Sequence, residues 1–317
     1  MFHYDRGLFL TQPRLAVDVR RRQPRAFISH AHSDHIAAHQ VALCTPQTAR
    51  LYQLRMGERE VLELPYGQAC EYGGVRLTAL PAGHCLGSAM LFVENGTESL
   101  LYTGDFKLGP SATAQPAELR HADVLIIEST YGDPQYRHPP RTTAISRLLE
   151  LVADILARGA TPVIAAYALG KAQEVSRILT QHGIPVLQHP DAIAVSRVYA
   201  KCGVDLGPVA PYEGEPLPGH AVVAPPGSCR AGSLPGLKRY ETIAVTGWAA
   251  GRDARLGADH AVALSDHADF DELLEAVERV AAREVYCTHG PATFVDLLRA
   301  RGINAHRLED GRRAARP

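Results

Sequence analysis

Short apolar runs, each closed by a glycine, a proline or a polar side chain, alternate along this chain with longer stretches of helical period. Gly7-Leu8-Phe9-Leu10 and Leu15-Ala16-Val17-Asp18-Val19 predict an opening hairpin. Ala26-Phe27-Ile28 predicts a strand, with a helix to follow from Ile36. Residues 45–56 read as a helix with Thr45 as N-cap and Pro46 at its first position. Val61-Leu62-Glu63-Leu64 and the run over 75–80 predict two strands joined through the Gly73-Gly74 turn. Residues 89–93 and 99–103 predict a hairpin across Asn95-Gly96. Further strands are predicted at 124–127, 162–166, 242–246, 261–264 and 284–288. Helices are predicted at 142–158, 269–282 and 292–301, and one opens at Ala168-Leu169-Gly170-Lys171-Ala172-Gln173. Strands interleaved with helices predict an α/β protein. From Gly183 to about Thr246 the chain is rich in proline and glycine and reads as a small inserted α/β subdomain. The expected organisation is a core domain over 1–166 and 247–317, interrupted by an insert over 167–246.

Composition narrows the setting. At 317 residues, 46% hydrophobic and 21% charged, the chain can bury a sizeable core around more than one unit. Its net charge of −1 gives no global basic field, so a polyanion would have to be met by a local patch. Arg20, Arg21, Arg22 and Arg25 form such a cluster, readable either as a solvated loop or as a phosphate-steering patch. Six cysteines are scattered without a CxxC pair. There is no leader-like N-terminal stretch and no apolar run of about 18 residues. Together these predict a reduced, cytoplasmic protein with free thiols and no membrane partner. Cys85 and Cys287, close in sequence to chemistry-bearing residues, read as packing groups.

The candidate chemistry starts at His30-Ala31-His32-Ser33-Asp34-His35, which packs three imidazoles and a carboxylate into six positions. Both groups are good ligands for zinc and related divalent metals. Apolar runs end at polar residues of catalytic type again and again: His84, Asp105, Glu128, His267 and His289. Strand ends gathered on one sheet edge are where α/β folds place their sites. A two-metal centre is the expectation, with zinc as the cofactor or manganese in its place. His30, His32 and His84 would hold one ion, Asp34, His35 and His289 the other, and Asp105 would bridge them. Asp34, Glu128 and His267 are the candidate catalytic residues. A carboxylate such as Glu128 beside an imidazole such as His267 suits a general acid. Lys107, Arg137, Lys171 and Arg252 are candidates for contacts to phosphates.

His30-x-His32-x-Asp34-His35 with His84 and Asp105 resembles the ligand motifs of the metallo-β-lactamase superfamily. Glu128-Ser129-Thr130-Tyr131-Gly132, Ser265-Asp266-His267 and Thr288-His289-Gly290 resemble its β-CASP branch of nucleases, with Glu128, His267 and His289 as motifs A, B and C. Arg6-Gly7-Leu8, Tyr167-Ala168-Leu169-Gly170-Lys171-Ala172-Gln173 and Gly247-Trp248 look most like the bacterial ligase-associated DNA exonucleases. The resemblance implies an αββα sandwich with a small inserted β-CASP subdomain. It also implies a metal-dependent DNA exonuclease, acting in repair beside an ATP-dependent DNA ligase and a helicase. His289 at motif C, usual among RNA-cleaving members, keeps RNA processing open. A small-molecule hydrolase such as a thioesterase would need neither the insert nor the Glu128/His267 pair. A non-catalytic partner subunit of a nucleic-acid complex would show degenerate ligands.

Overall fold

The computed structural model describes residues 1–229, 232–251 and 256–310. Arg252 and the Gly311-Arg312-Arg313 tail lie outside the described residues. Contacts divide the chain into two compact units, Met1–Pro134 with His267–Pro317, and Gln135–Asp266.

The first unit holds two sheets. One takes β1 (Phe2–Tyr4), β2 (Leu8–Leu10), β3 (Leu15–Val17), β4 (Arg25–Phe27), β5 (Val41–Cys44) and β6 (Glu60–Glu63), side by side in that order. The other runs β7 (Ala69–Tyr72), β8 (Val75–Pro81), β9 (Ala89–Glu94), β10 (Ser99–Tyr102) and β11 (Val124–Glu128). Two late strands, β18 (Glu284–Thr288) and β19 (Ala305–Arg307), complete it beside β11. The sheets meet through one buried core that joins Phe2, Leu10, Val17, Phe27 and Leu43 to Leu77, Leu91, Leu100 and Ile126. The far face of the second sheet buries Met90, Leu101, Leu125 and Ile127 against two helices, α5 (Phe270–Val280) and α6 (Ala292–Ala300). The far face of the first buries Ile28, Ala42 and Cys44 against Ala49 and Tyr52 of α1 (Pro46–Met56). The layers are therefore α, β, β, α. The Thr45 side chain accepts the Thr48 N–H as the helix N-cap, an interaction that contributes about 1 kcal/mol.

The second unit is built on a six-stranded sheet. Its strands are β12 (Thr161–Ala165), β13 (Val186–Gln188), β14 (Val209–Pro211), β15 (Ala221–Ala224), β16 (Tyr240–Val245) and β17 (His260–Val262). The spatial order is β14-β13-β15-β12-β16-β17, and every pairing is parallel. Helices α2 (Arg141–Ala157), α3 (Lys171–Gln181) and α4 (Pro190–Lys201) pack on it. Its central strands β12, β13 and β15 are almost wholly buried, as strands covered on both faces must be. Because β12 is hydrogen-bonded between β15 and β16, it belongs with this sheet although it lies ahead of residue 167. The units consequently divide at 134/135 and 266/267.

Two local expectations are corrected. No helix starts at Ile36. Tyr52 Oη donates to the Ala37 carbonyl at 2.7 Å and accepts the His39 N–H at 3.1 Å, and the chain then enters β5. Those backbone groups find tertiary partners instead of helical ones. Across Gly73-Gly74 the partner of β8 is β7, with Tyr72 opposite Val75, while Val61 and Leu62 sit in β6 beside β5 in the other sheet.

Candidate metal centre

Every candidate ligand and catalytic residue lies in the first unit, mostly where a strand stops. His30, His32, Asp34 and His35 follow β4, His84 follows β8, and Asp105 follows β10. Glu128 ends β11 and His289 follows β18, its parallel neighbour, with Glu128 in register with Thr288. Two glycines let these ends come together. Gly104, at φ +55°, lies where a Cβ would stand 2.7 Å from the Ser29 Cβ. Gly290 follows His289, which itself adopts a left-handed φ of 57°. A Cβ on Gly290 would fall 1.9 Å from the Ser129 carbonyl oxygen.

Ligand-type atoms of His30, His32, His84 and Asp105 all lie within 4.8 Å of one another, and those of His35, Asp105 and His289 form a second such group. Asp105 belongs to both. His30 Nε2 is 3.0 Å from His32 Nδ1, His84 Nε2 is 3.2 Å from that same nitrogen, and His30 Nε2 is 3.4 Å from Asp105 Oδ2. Four ligands tetrahedral about an ion at ~2.1 Å are separated by about 3.4 Å. The imidazole and carboxylate donors therefore fit a divalent ion in number, kind and spacing. Asp105 Oδ2 is also 3.3 Å from His35 Nε2, and Oδ1 is 4.0 Å from His289 Nδ1. Asp34 sits at the rim, its side chain 64% exposed and Oδ2 3.8 Å from His35 Nε2.

The electrostatics fit the same picture. Burial, reinforced by the neighbouring His35 ring, holds His30 well below the ordinary imidazole value, so it offers a lone pair. Burial also disfavours the His35 cation, but the flanking Asp105 and Asp18 carboxylates outweigh it and raise that ring well above the ordinary value. Burial opposes ionisation of Asp105, yet the His35 and His267 imidazoles hold its carboxyl well below the usual range. Cys287 takes no part. Burial pushes its thiol up to about 12, and it packs in the core, as Cys85 is also buried.

Sequence reading missed the group that orients this cluster. Asp18 accepts four hydrogen bonds: the Ser29 N–H at 2.8 Å, the Ser29 hydroxyl at 2.5 Å, His35 Nδ1–H at 2.9 Å and the Tyr102 hydroxyl at 2.8 Å. Ser29 Oγ in turn lies 3.0 Å from His30 Nδ1. One carboxylate thus fixes the orientation of two rings and turns their Nε2 atoms toward Asp105. Asp18 also closes a strand, β3, so the strand-end pattern was the signal that could have found it. Asp18→Asn is expected to weaken metal binding about 10- to 100-fold, read by competition with a chelator. Unchanged affinity would mean the rings are held without it.

Glu128, 1% exposed, binds His267 Nδ1–H through Oε1 at 2.9 Å. The same oxygen accepts the Phe106 N–H at 3.1 Å, and Oε2 accepts the Thr130 hydroxyl at 2.5 Å. The Ala268 N–H donates to the Phe106 carbonyl at 2.6 Å, which ties the residue after His267 to the residue after Asp105. The His267 and His84 ring centroids are 4.7 Å apart. Of the basic candidates, Lys107 is buried, and Lys171 is buried in an ion-pair network. Lys171 Nζ reaches Glu174 at 3.1 Å and Asp266 at 3.4 Å. Neither presents a surface charge to a phosphate. Arg20, Arg21, Arg22, Arg25 and Arg137 are exposed. None of the six cysteines is in a disulfide, and among the described residues no helix is long and apolar enough to cross a membrane.

Residues 7–163 match the beta-lactamase superfamily domain. A protein of Opitutus terrae named a probable DNA ligase is 37% identical over 99% of this chain and 32% of its own length. An RNase J-like protein of Methanocaldococcus jannaschii is 30% identical over 54% of this chain and 48% of its own. The 5′ exonuclease Apollo of Gallus gallus is 32% identical over 54% and 39%. The chain thus matches less than half the length of each of these relatives. A crystal structure of a protein of unknown function from Enterococcus faecalis V583 shares the fold, with a TM-score of 0.58 at 13% identity over 84% of this chain and 75% of that one.

Proposed function

Because this chain belongs to the metallo-β-lactamase superfamily and its relatives are β-CASP nucleases, we propose that it is a metal-dependent DNA exonuclease working in repair beside a DNA ligase and a helicase. The observation that carries the chemistry is the convergence of two imidazole–carboxylate groups on Asp105, with the Glu128–His267 pair beside them. DNA is favoured because the ligase-named relative matches essentially the whole chain.

In this reading His30, His32 and His84 would hold one divalent ion, zinc or manganese, Asp34, His35 and His289 would hold a second, and Asp105 would serve both. When bound, such ions activate water near neutral pH and neutralise charge on the phosphoryl oxygens. Asp18, directly and through Ser29, keeps the Nε2 atoms of His35 and His30 aimed inward. Glu128 accepts the His267 Nδ1–H and stabilises the imidazolium, whose Nε2–H then protonates the leaving oxygen. RNA is the second reading, favoured by the RNase J-like relative and by His289.

The test is one sequencing gel of end-labelled single-stranded DNA and its RNA counterpart, each with manganese or zinc and each with EDTA as the blank. A DNA ladder that shortens from one end, with RNA intact, is expected. RNA cut in preference would move the chain to RNA processing, and no cleavage of either would overturn the nuclease reading.

A further inference from the structure

The parallel sheet of the second unit carries a cavity that the metal chemistry does not use. From β12 the chain passes through α3 to β13, on one side of β12, and the later β16 pairs on the other side. In open parallel sheets the ligand crevice forms at the carboxyl ends of the strands where connections leave to opposite sides. A cavity of about 420 Å3 lies there. Ala165 and Tyr167 line it from the end of β12, Val245, Thr246 and Trp248 from the end of β16, and Gly227 from the segment after β15. The volume is within the range of pockets that hold a small ligand.

Its lining selects a chemistry. None of the described lining residues carries a formal charge. Two of them are large aromatics left in solvent, Tyr167 at 58% exposure and Trp248 at 40%, the two exposed aromatics among the large apolar side chains described. One exposed ring means little. Two at the mouth of one cavity make a platform for a flat, uncharged group. Trp248 is held ready for it. Its ring stands edge-on to Tyr136 with centroids 5.1 Å apart, and its backbone N–H donates to Thr246 Oγ1 at 3.4 Å.

We propose that this cavity takes one nucleobase of a single-stranded nucleic acid by stacking on Tyr167 and Trp248. The nucleic-acid identity rests on the nuclease reading above, while the planar, neutral character of the ligand rests on the lining. A free nucleotide is disfavoured because its phosphate would meet no cation among the described lining residues. A base carried on a strand has its phosphates held elsewhere. Stacking is tolerant of base identity, as a strand-tracking subsite needs.

Trp248 is the chain's only tryptophan, so its emission reports on this cavity alone. The whole chain, kept in EDTA so that nothing is cut, is titrated with a short thymidine oligonucleotide, an abasic oligonucleotide of the same length, and thymidine monophosphate. Quenching by the oligonucleotide alone is expected. Tyr167→Ala should weaken that binding about 5- to 150-fold, the worth of one stacked base, and Tyr167→Phe should restore it. Equal quenching by the abasic strand, or monophosphate binding as tight as the oligonucleotide, would overturn the proposal. So would an unchanged emission while anisotropy of a labelled strand shows binding. Cleavage on the gel without a Trp248 response removes this subsite and leaves the nuclease reading standing. A Trp248 response in a protein that cuts neither DNA nor RNA keeps the subsite and removes that reading.

Discussion

Asp105→Ala is expected to lower phosphodiesterase activity about 10³-fold or more, since a bridged pair of ions supplies several kcal/mol of transition-state stabilisation at tenfold per ~1.4 kcal/mol. The reason is positional. Asp105 is the one residue that belongs to both imidazole groups, with Oδ2 3.4 Å from His30 Nε2 and 3.3 Å from His35 Nε2. It is also a buried carboxylate that balances His35. Removing it leaves converging rings with no counter-charge on that side, so metal content should fall along with turnover. Elemental analysis of the purified variant reads the first and the end-labelled gel the second. Asp105→Asn keeps the shape and separates loss of charge from loss of packing. A folded Asp105→Asn protein that retained both its metal and its activity would show that the two groups are not bridged there.

The parts of this molecule that could be read from its sequence are those decided by short-range chemistry. Asn95-Gly96 turns β9 into β10, with Glu94 opposite Ser99, and Thr45-Pro46 opens α1, because turn and cap geometry is written in a few adjacent residues. Strand ends were readable too, since a buried run must stop where its backbone meets polar demand, and those stops are His84, Asp105, Glu128 and His289. What escaped is set by partners distant in sequence. The helix expected at Ile36 loses to Tyr52, which claims the backbone of Ala37 and His39. The edge strand β7 alternates half-buried Cys70 and Tyr72 with exposed neighbours, a pattern too weak to mark a strand until β8 pairs with it. Lys171 reads as a surface cation until Glu174 and Asp266 are seen to bury it. Asp18 reads as a position inside the hairpin strand over 15–19, and only the fold brings Ser29, His35 and Tyr102 to its carboxylate.

His267→Ala, in contrast with the Asp105 variants, is expected to spare the metal and cripple the proton transfer. His267 Nδ1 is committed to Glu128 at 2.9 Å, and the Glu128 carboxylate is itself fixed by the Phe106 N–H and the Thr130 hydroxyl. The imidazole is thus oriented by a rigid acceptor and turned toward the cluster, its ring 4.7 Å from that of His84. A positioned general acid contributes about 10²- to 10⁴-fold, which is the loss expected in kcat on a DNA strand. The side chain is 20% exposed, so truncation removes little packing and the melting temperature should hardly move. The substrate that separates the roles is a nitrophenyl phosphodiester, whose leaving group departs without a proton. On it the variant should recover most of the lost rate, because only the acid is missing. A variant that lost its metal would place His267 among the ligands instead. An equal loss on both substrates would mean that the Glu128–His267 pair acts on something other than the leaving oxygen.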